Sequence, residues 1–414
     1  MPFGYEYDEK YFIFLKSLNK DDEYLVGLSL TYFNIYLEKF DEAKKIIDKL
    51  LIKYPKSNEM QNAYIVLNLI NIHDKEKIDE KAEDEIFKQI KLMKQVDENG
   101  YPTPIYRFTL YLLLDMYKNR NLYVDAVLVH SLINSYLGHI DLKTFREVEE
   151  FLNNPQTSKL KQYIQNSLNE KLKKEKFFSK NYNNTKFDLL LANFKFKEAL
   201  DTNISYLNEK LEFNPFNAQI RGNNRSGKNN QITIKEFLEK IITVENVLEQ
   251  DPKSTMDNFL YATAIYNLSY FGNNAKLISY YGSDGLYTAA GQDIQLNNLN
   301  MALSYYENAL KNTNNKELKA KIVYQIAKVK LCLADISYYK GEWHSAYYLY
   351  PEPNQKYFYT EDKFYEFFLE NGGASSFDSL VNEYSNTKYY QELIKSCGDF
   401  KTYIKLNHPN KIKK

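Results

Sequence analysis

The amino-acid sequence predicts an all-α protein, an irregular α-solenoid of antiparallel helix hairpins. Three observations predict it. Along Leu299 to Leu310, the small residues Ala302 and Ala309 stand at i and i+7, with Tyr306 between them on the same helical stripe. A second helix can approach closely at the alanines and pack around the ring. Stripes of this kind recur, as at Ala43, Ile47 and Leu50, spaced i, i+4, i+7. Finally, the 414 residues include only 14 Gly and 10 Pro, too few for the tight turns of an all-β chain.

Taken in order, residues 8–20 read as a helix with Tyr11, Phe12, Phe14, Leu15 and Leu18 on its apolar face. Asp21 and Asp22 can cap the next, Glu23 to Glu38. A further helix starts near Phe40 and ends before Pro55, whose ring cannot continue it. Ile105 to Tyr117 forms another, followed by Tyr123 to Ile133 with Ala126 on its stripe. Phe196 and Ala199 give a weaker copy that leads towards Pro215. Gln219 to Gln231 is rich in Asn and Gly and reads as an exposed loop. Helix resumes near Thr233, carries Phe237, Leu238, Ile241, Ile242, Val244 and Leu248, and ends at Asp251-Pro252. Tyr280 to Asn298, with Gly282, Gly285 and Gly291, reads as a looser stretch. Trp343 and Ala346 mark a last helix start, cut short by Pro351 and Pro353. Helices around Tyr384 to Ile394 are expected to cap the end, with Lys411 to Lys414 disordered. The expected organisation is 1–215 as an N-terminal helical-repeat segment, 216–232 as a polar exposed loop, and 233–410 as a C-terminal helical-repeat segment.

The anchors Phe40/Ala43/Pro55, Tyr123/Ala126, Phe196/Ala199, Leu299/Ala302/Ala309 and Trp343/Ala346 resemble the tetratricopeptide repeat. That repeat pairs two antiparallel helices in about 34 residues, with a small residue early in the second. The first helices depart from it: Thr31 and Leu114 stand where a small Gly or Ala is usual, and the anchors are unevenly spaced. A second likeness lies in the order of Asn258 to Asn273, Ala302 to Ala309, Lys319-Ala320-Lys321 and Tyr384 to Tyr390. Over residues 200–405 it resembles the C-terminal half of uncharacterised large repeat proteins of Bacteroidetes, many of them lipoproteins by sequence. The resemblance implies a cell-envelope setting. The chain as written shows no signal peptide at Met1 to Glu9, so the expectation is cytoplasmic, or envelope if it belongs to a longer lipoprotein.

Lys+Arg and Asp+Glu both number 54, which gives no basic excess for nucleic acid. No run of roughly twenty apolar residues spans a membrane. Cys332 and Cys397 are too few for a disulfide framework and lack zinc-ligand spacing; they read as buried thiols. The 38 Tyr against 1 Trp fit an AT-rich genome, and also an aromatic binding surface. Gly222 to Asn229 nearly matches a phosphate-binding loop, but Asn229 replaces the hydroxyl that would meet Mg²⁺, and no buried strand precedes it. The histidines His73, His130, His139, His344 and His408 have no metalloprotease spacing. His130, on a packed stripe, reads as a hydrogen-bonded core residue. The run Lys171 to Lys176 reads as a solvated helix face, as do Glu42 and Lys45.

No catalytic, cofactor-binding or metal residue is therefore expected. The expected function is a non-enzymatic scaffold that binds a protein or peptide in a groove lined by first helices. A glycan-binding envelope protein is the alternative. Tyr32, Tyr36, Tyr106, Tyr117, Tyr261 and Tyr266 lie on first helices and are the candidate contact residues.

Overall fold

The structure, a computed structural model, describes residues 23–73, 79–93, 103–138, 140–202, 204–220, 230–275, 277, 289–338 and 369–409. Among them are 17 α-helices, one π-helical turn and no β-strand. An isolated antiparallel bridge joins Lys210 and Thr233. The all-α class holds, and most helices pack against a neighbour in sequence. The helix proposed for 8–20, the loop Gly222 to Asn229, the anchors Trp343 and Ala346, Pro351, Pro353, and Lys411 to Lys414 lie outside the described residues, as do His139, His344 and the side chain of His73.

By packing, the chain divides into two compact units, Met1–Tyr182 and Asn183–Lys414. Phe216 and Ile220, within the segment read as a loop, are buried in the second unit. Asn267 explains why: its side-chain amide donates to the carbonyls of Pro215 (2.8 Å) and Asn217 (3.1 Å). The segment thus has its backbone groups satisfied by a neighbouring helix rather than by water.

The first unit holds α1 (Glu23–Tyr36), α2 (Phe40–Lys53), α3 (Asn58–His73), α4 (Glu80–Leu92), α5 (Pro104–Asn119), α6 (Tyr123–Asn134), α7 (Leu142–Asn153) and α8 (Lys159–Lys174). Side chains at the N-caps satisfy amides that have no helical partner: Asp79 accepts from Ala82, Asp141 from Thr144 and Ser158 from Lys161. The predicted stripe of α2 packs as expected: Ala43, Ile47 and Leu50 cluster with Met60, Ala63 and Leu67 of α3. Helix α1 closes on α2 at Gly27, where an added Cβ would stand 2.6 Å from Cδ1 of Leu50. Thr31, also buried, turns its hydroxyl back to the carbonyl of Gly27 (2.8 Å). The close approach is therefore made at Gly27, one turn before the residue that the repeat pattern aligns. Helix α3 packs on both α1 and α5, so these three stand side by side.

Helix α9 (Lys176–Ala192) spans the division between the units. The second unit continues with α10 (Phe196–Leu200), α11 (Ile234–Gln250), α12 (Thr255–Leu268), α13 (Ala289–Asn312), α14 (Lys316–Tyr338), α15 (Ala374–Glu383), α16 (Lys388–Ser396) and α17 (Gly398–Asn407). Thr233 and Glu236 form a reciprocal capping box at the start of α11. Helices α11 to α14 pack in sequence order, each on the next. Every residue from Tyr261 to Tyr270 is buried, so the C-terminal half of α12 is enclosed on all sides. Helix α13 begins at Ala289, inside the stretch read as loose. Within it Gln295 and Asn298 are buried polar residues, and the amide of Tyr270 donates to Oε1 of Gln295 (2.9 Å). Helices α15 to α17 close the end on α14 around Phe377, Leu380, Tyr390, Leu393, Phe400 and Ile404. Glu317 of α14 accepts from the first amides of α16, at Lys388 (2.8 Å) and Tyr389 (3.1 Å), a carboxylate placed at a helix N-terminus.

Candidate interaction surface

The inward face of α1 is fixed by Gly27, Thr31 and Asn34, all buried. Leu25, Tyr32 and Tyr36 lie on the opposite side and are exposed by 54%, 42% and 58%. Helix α5 repeats the arrangement: Leu110, Leu113, Leu114 and Tyr117 point in, while Phe108 (40%) and Tyr111 (49%) point out. Large rings exposed by this much, on helices already packed on their other side, form the kind of surface that partners cover. Sequence reasoning missed Phe108 and Tyr111. The signal was there: apolar residues from Ile105 to Leu114 run round more of the helix than one packed face needs.

The other candidate tyrosines take different places. Tyr106 is half-buried and shares a hydrogen bond with the hydroxyl of Tyr163 (2.6 Å), and burial raises the pKa of both. Tyr117 is fully buried, and its hydroxyl donates to Oε1 of Glu83 at 3.4 Å. Tyr261 and Tyr266 are buried within the enclosed half of α12. These three rings fill the interhelical core, because the stripe that carries them faces neighbouring helices and not solvent.

Tyr266 carries the ammonium of Lys328 over its face, 4.4 Å from the ring centroid. That buried lysine also donates to the carbonyl of Gln219 (2.9 Å) and to Oε1 of Gln325 (3.1 Å). Here the charge ties α14 to the segment leading out of Pro215, a structural use. Lys171 is only partly solvated, while Lys173, Lys174 and Lys176 are exposed as expected of that run. The Nζ of Lys171 donates to the carbonyl of Leu132 (2.8 Å) and to Oγ of Ser135 (2.9 Å), which closes the C-terminal end of α6, and burial lowers its pKa. His130 is half-buried, edge-on to Tyr136 at 4.9 Å, and burial lowers its pKa. His408 pairs with Asp378 (2.8 Å), which also accepts from Tyr403 (2.7 Å). Cys332 and Cys397 are buried thiols outside any disulfide, as expected, and Tyr324 donates its hydroxyl to Sγ of Cys397 (3.3 Å).

A third group surrounds Tyr261. Its hydroxyl donates to Oε1 of Glu245 on α11 (2.8 Å), and its ring meets that of Tyr305 on α13, edge-on at 4.6 Å. Glu245 and Tyr305 are both half-buried. Burial raises the pKa of Glu245, against the opposing pull of the Tyr261 hydroxyl; Glu249 adds to the rise and Lys195 reduces it. The charged form is the one that burial penalises. The cost to folding is therefore present above the raised pKa and disappears as pH falls through it. Glu245→Gln, which still accepts from Tyr261, is expected to melt at or slightly above the wild-type temperature at pH 8. The difference should close as pH falls into the carboxylate range. Solvent screening keeps the gain below about 1 kcal/mol. Melting curves of both proteins across pH check this.

Among the described residues, no group of three or more His, Cys, Asp or Glu is placed to hold a metal ion. No described helix is long and apolar enough to cross a membrane. No protein-family model, curated protein or solved structure matches the chain.

Proposed function

We propose that this protein is a non-enzymatic scaffold that binds a protein or peptide partner on a helical-repeat surface of tetratricopeptide type. The observation that carries the reading is the outward display of Tyr32, Tyr36, Phe108 and Tyr111 on α1 and α5. Aromatic rings combine large apolar area with few rotatable bonds, so they gain much on burial and lose little entropy. The pairing of helices with their sequence neighbours supports the repeat reading, since each hairpin must cover the open face of the next.

The test is comparative capture by the full chain and by a Tyr32→Ala/Tyr36→Ala/Phe108→Ala/Tyr111→Ala variant. The changes remove exposed rings, so circular dichroism and melting should stay close to wild type. A specific protein retained by the wild type and lost by the variant supports the scaffold; identical retention on both refutes this surface. A second reading, a glycan ligand in an envelope setting, is favoured by one feature: α1 carries no charged side chain after Glu23. Uncharged rings stack on uncharged sugars. Retardation of the wild type in a polysaccharide affinity gel, lost in the same variant, would move the conclusion to that reading.

A further inference from the structure

We infer that Glu245, Tyr261 and Tyr305 form a cation-accepting site in the second unit, which takes a lysine or arginine side chain of a protein partner. Tyr261 of α12 is the floor of the site, and Glu245 of α11 and Tyr305 of α13 are its two rims. The hydrogen bond of 2.8 Å and the ring separation of 4.6 Å hold the three together. Both rim residues are half-buried rather than enclosed, so the carboxylate is reached from solvent.

The argument rests on an incomplete pairing. A half-buried carboxylate is costly unless a cation or several hydrogen-bond donors compensate it. Glu245 accepts one hydrogen bond, at Oε1, and forms no salt bridge among the described residues. Lys195 is near enough to be felt but outside ion-pair distance, and Glu249 deepens the negative potential. Buried Glu83 and half-buried Asp125 show the contrast: they share the ammonium of Lys161. At Glu245 no cation of the described residues comes within ion-pair distance, so the carboxylate is left open to one supplied by a partner. The half-buried ring of Tyr305 adds a second attraction, because the face of a tyrosine draws a cation, most strongly where water is displaced. An arginine or lysine side chain, with an apolar stem and a charged head, suits a rim made of one ring and one carboxylate.

The site rests on the scaffold reading only for the source of the cation. It shares no residue with α1 or α5, so the two can fail separately. The test uses the full chain with ¹³C-labelled tyrosine rings and the probe peptide acetyl-Gly-Arg-Gly-amide. Its control has citrulline, the neutral isostere, in place of arginine. The expected result is saturable movement of the Tyr261 and Tyr305 signals with the arginine peptide alone. Glu245→Gln, confirmed as folded by its melting curve, should weaken binding by about tenfold. Tyr305→Leu should weaken it less, since it removes the ring but leaves the charge. No movement of either ring, equal movement with citrulline, or unchanged binding in Glu245→Gln would overturn the proposal. Any of these outcomes would leave the surface on α1 and α5 as it stands.

Discussion

Replacing Tyr306 with alanine is expected to lower unfolding stability by about 3–5 kcal/mol, the range for removing a fully buried ring. Tyr306 sits on α13 with no exposed surface, between Ala302 and Ala309, which are equally enclosed. Its ring packs on Phe259 of α12 at 5.8 Å, and its hydroxyl donates to Oγ1 of Thr263 at 3.0 Å. Most of the loss comes from the ring. Tyr306→Phe, which keeps the ring and removes the donor, should therefore cost only about 1 kcal/mol. Urea denaturation of the three proteins checks both figures. A Tyr306→Ala cost of about 1 kcal/mol or less would mean that α13 does not grip α12 in this way.

The second large effect is expected at Lys161 of α8. Its Nζ lies 3.2 Å from Oδ1 of Asp125 on α6 and 3.9 Å from Oε1 of Glu83 on α4. The buried hydroxyl of Tyr117, on α5, donates to the same Glu83 oxygen. One ammonium thus serves carboxylates from two helices, and a third helix joins through the phenol. Lys161→Met keeps most of the length of the side chain and removes the charge. It leaves two largely buried carboxylates facing each other, and is expected to cost about 2–3 kcal/mol. Fully buried pairs cost more to break, but the lysine side chain here is 30% exposed, which tempers the loss. Adding Asp125→Asn should recover part of it, because one of the stranded charges is gone. A double-mutant cycle measures the coupling. If the second change makes matters worse by its full separate cost, the two residues do not interact.

The elements most legible in the sequence are those whose buried side is apolar and whose opposite side is charged. Helix α2 shows this in Ala43, Ile47 and Leu50 against Asp41, Glu42 and Lys45, and α11 in Phe237, Leu238 and Ile241 behind its Thr233/Glu236 cap. Gln295 and Asn298 of α13 were illegible as buried positions because they are amides, and a polar interior leaves no apolar stripe. Lys171 alone departs from the solvated face of its run: the carbonyl of Leu132 and the hydroxyl of Ser135 draw its ammonium partly inward, which the sequence around it does not show. Of the candidate surface, Tyr32 and Tyr36 were found and Phe108 and Tyr111 were not. Periodicity identifies a helix that is apolar on two sides, but it does not tell which side a neighbour covers.

By itself the sequence determined the class of fold, since spacing and side-chain volume are properties of a single helix: alanine notches and rings at helical intervals, with few Gly and Pro to interrupt them. Only the tertiary structure decided what each tyrosine does. The rings of Tyr261 and Tyr266 belong to the half of a helix that has neighbours all around it, whereas those of Tyr32 and Tyr36 belong to a helix that is open on its far side. The physical reason is that burial belongs to a pair of surfaces, and one strand of sequence describes only the first of them.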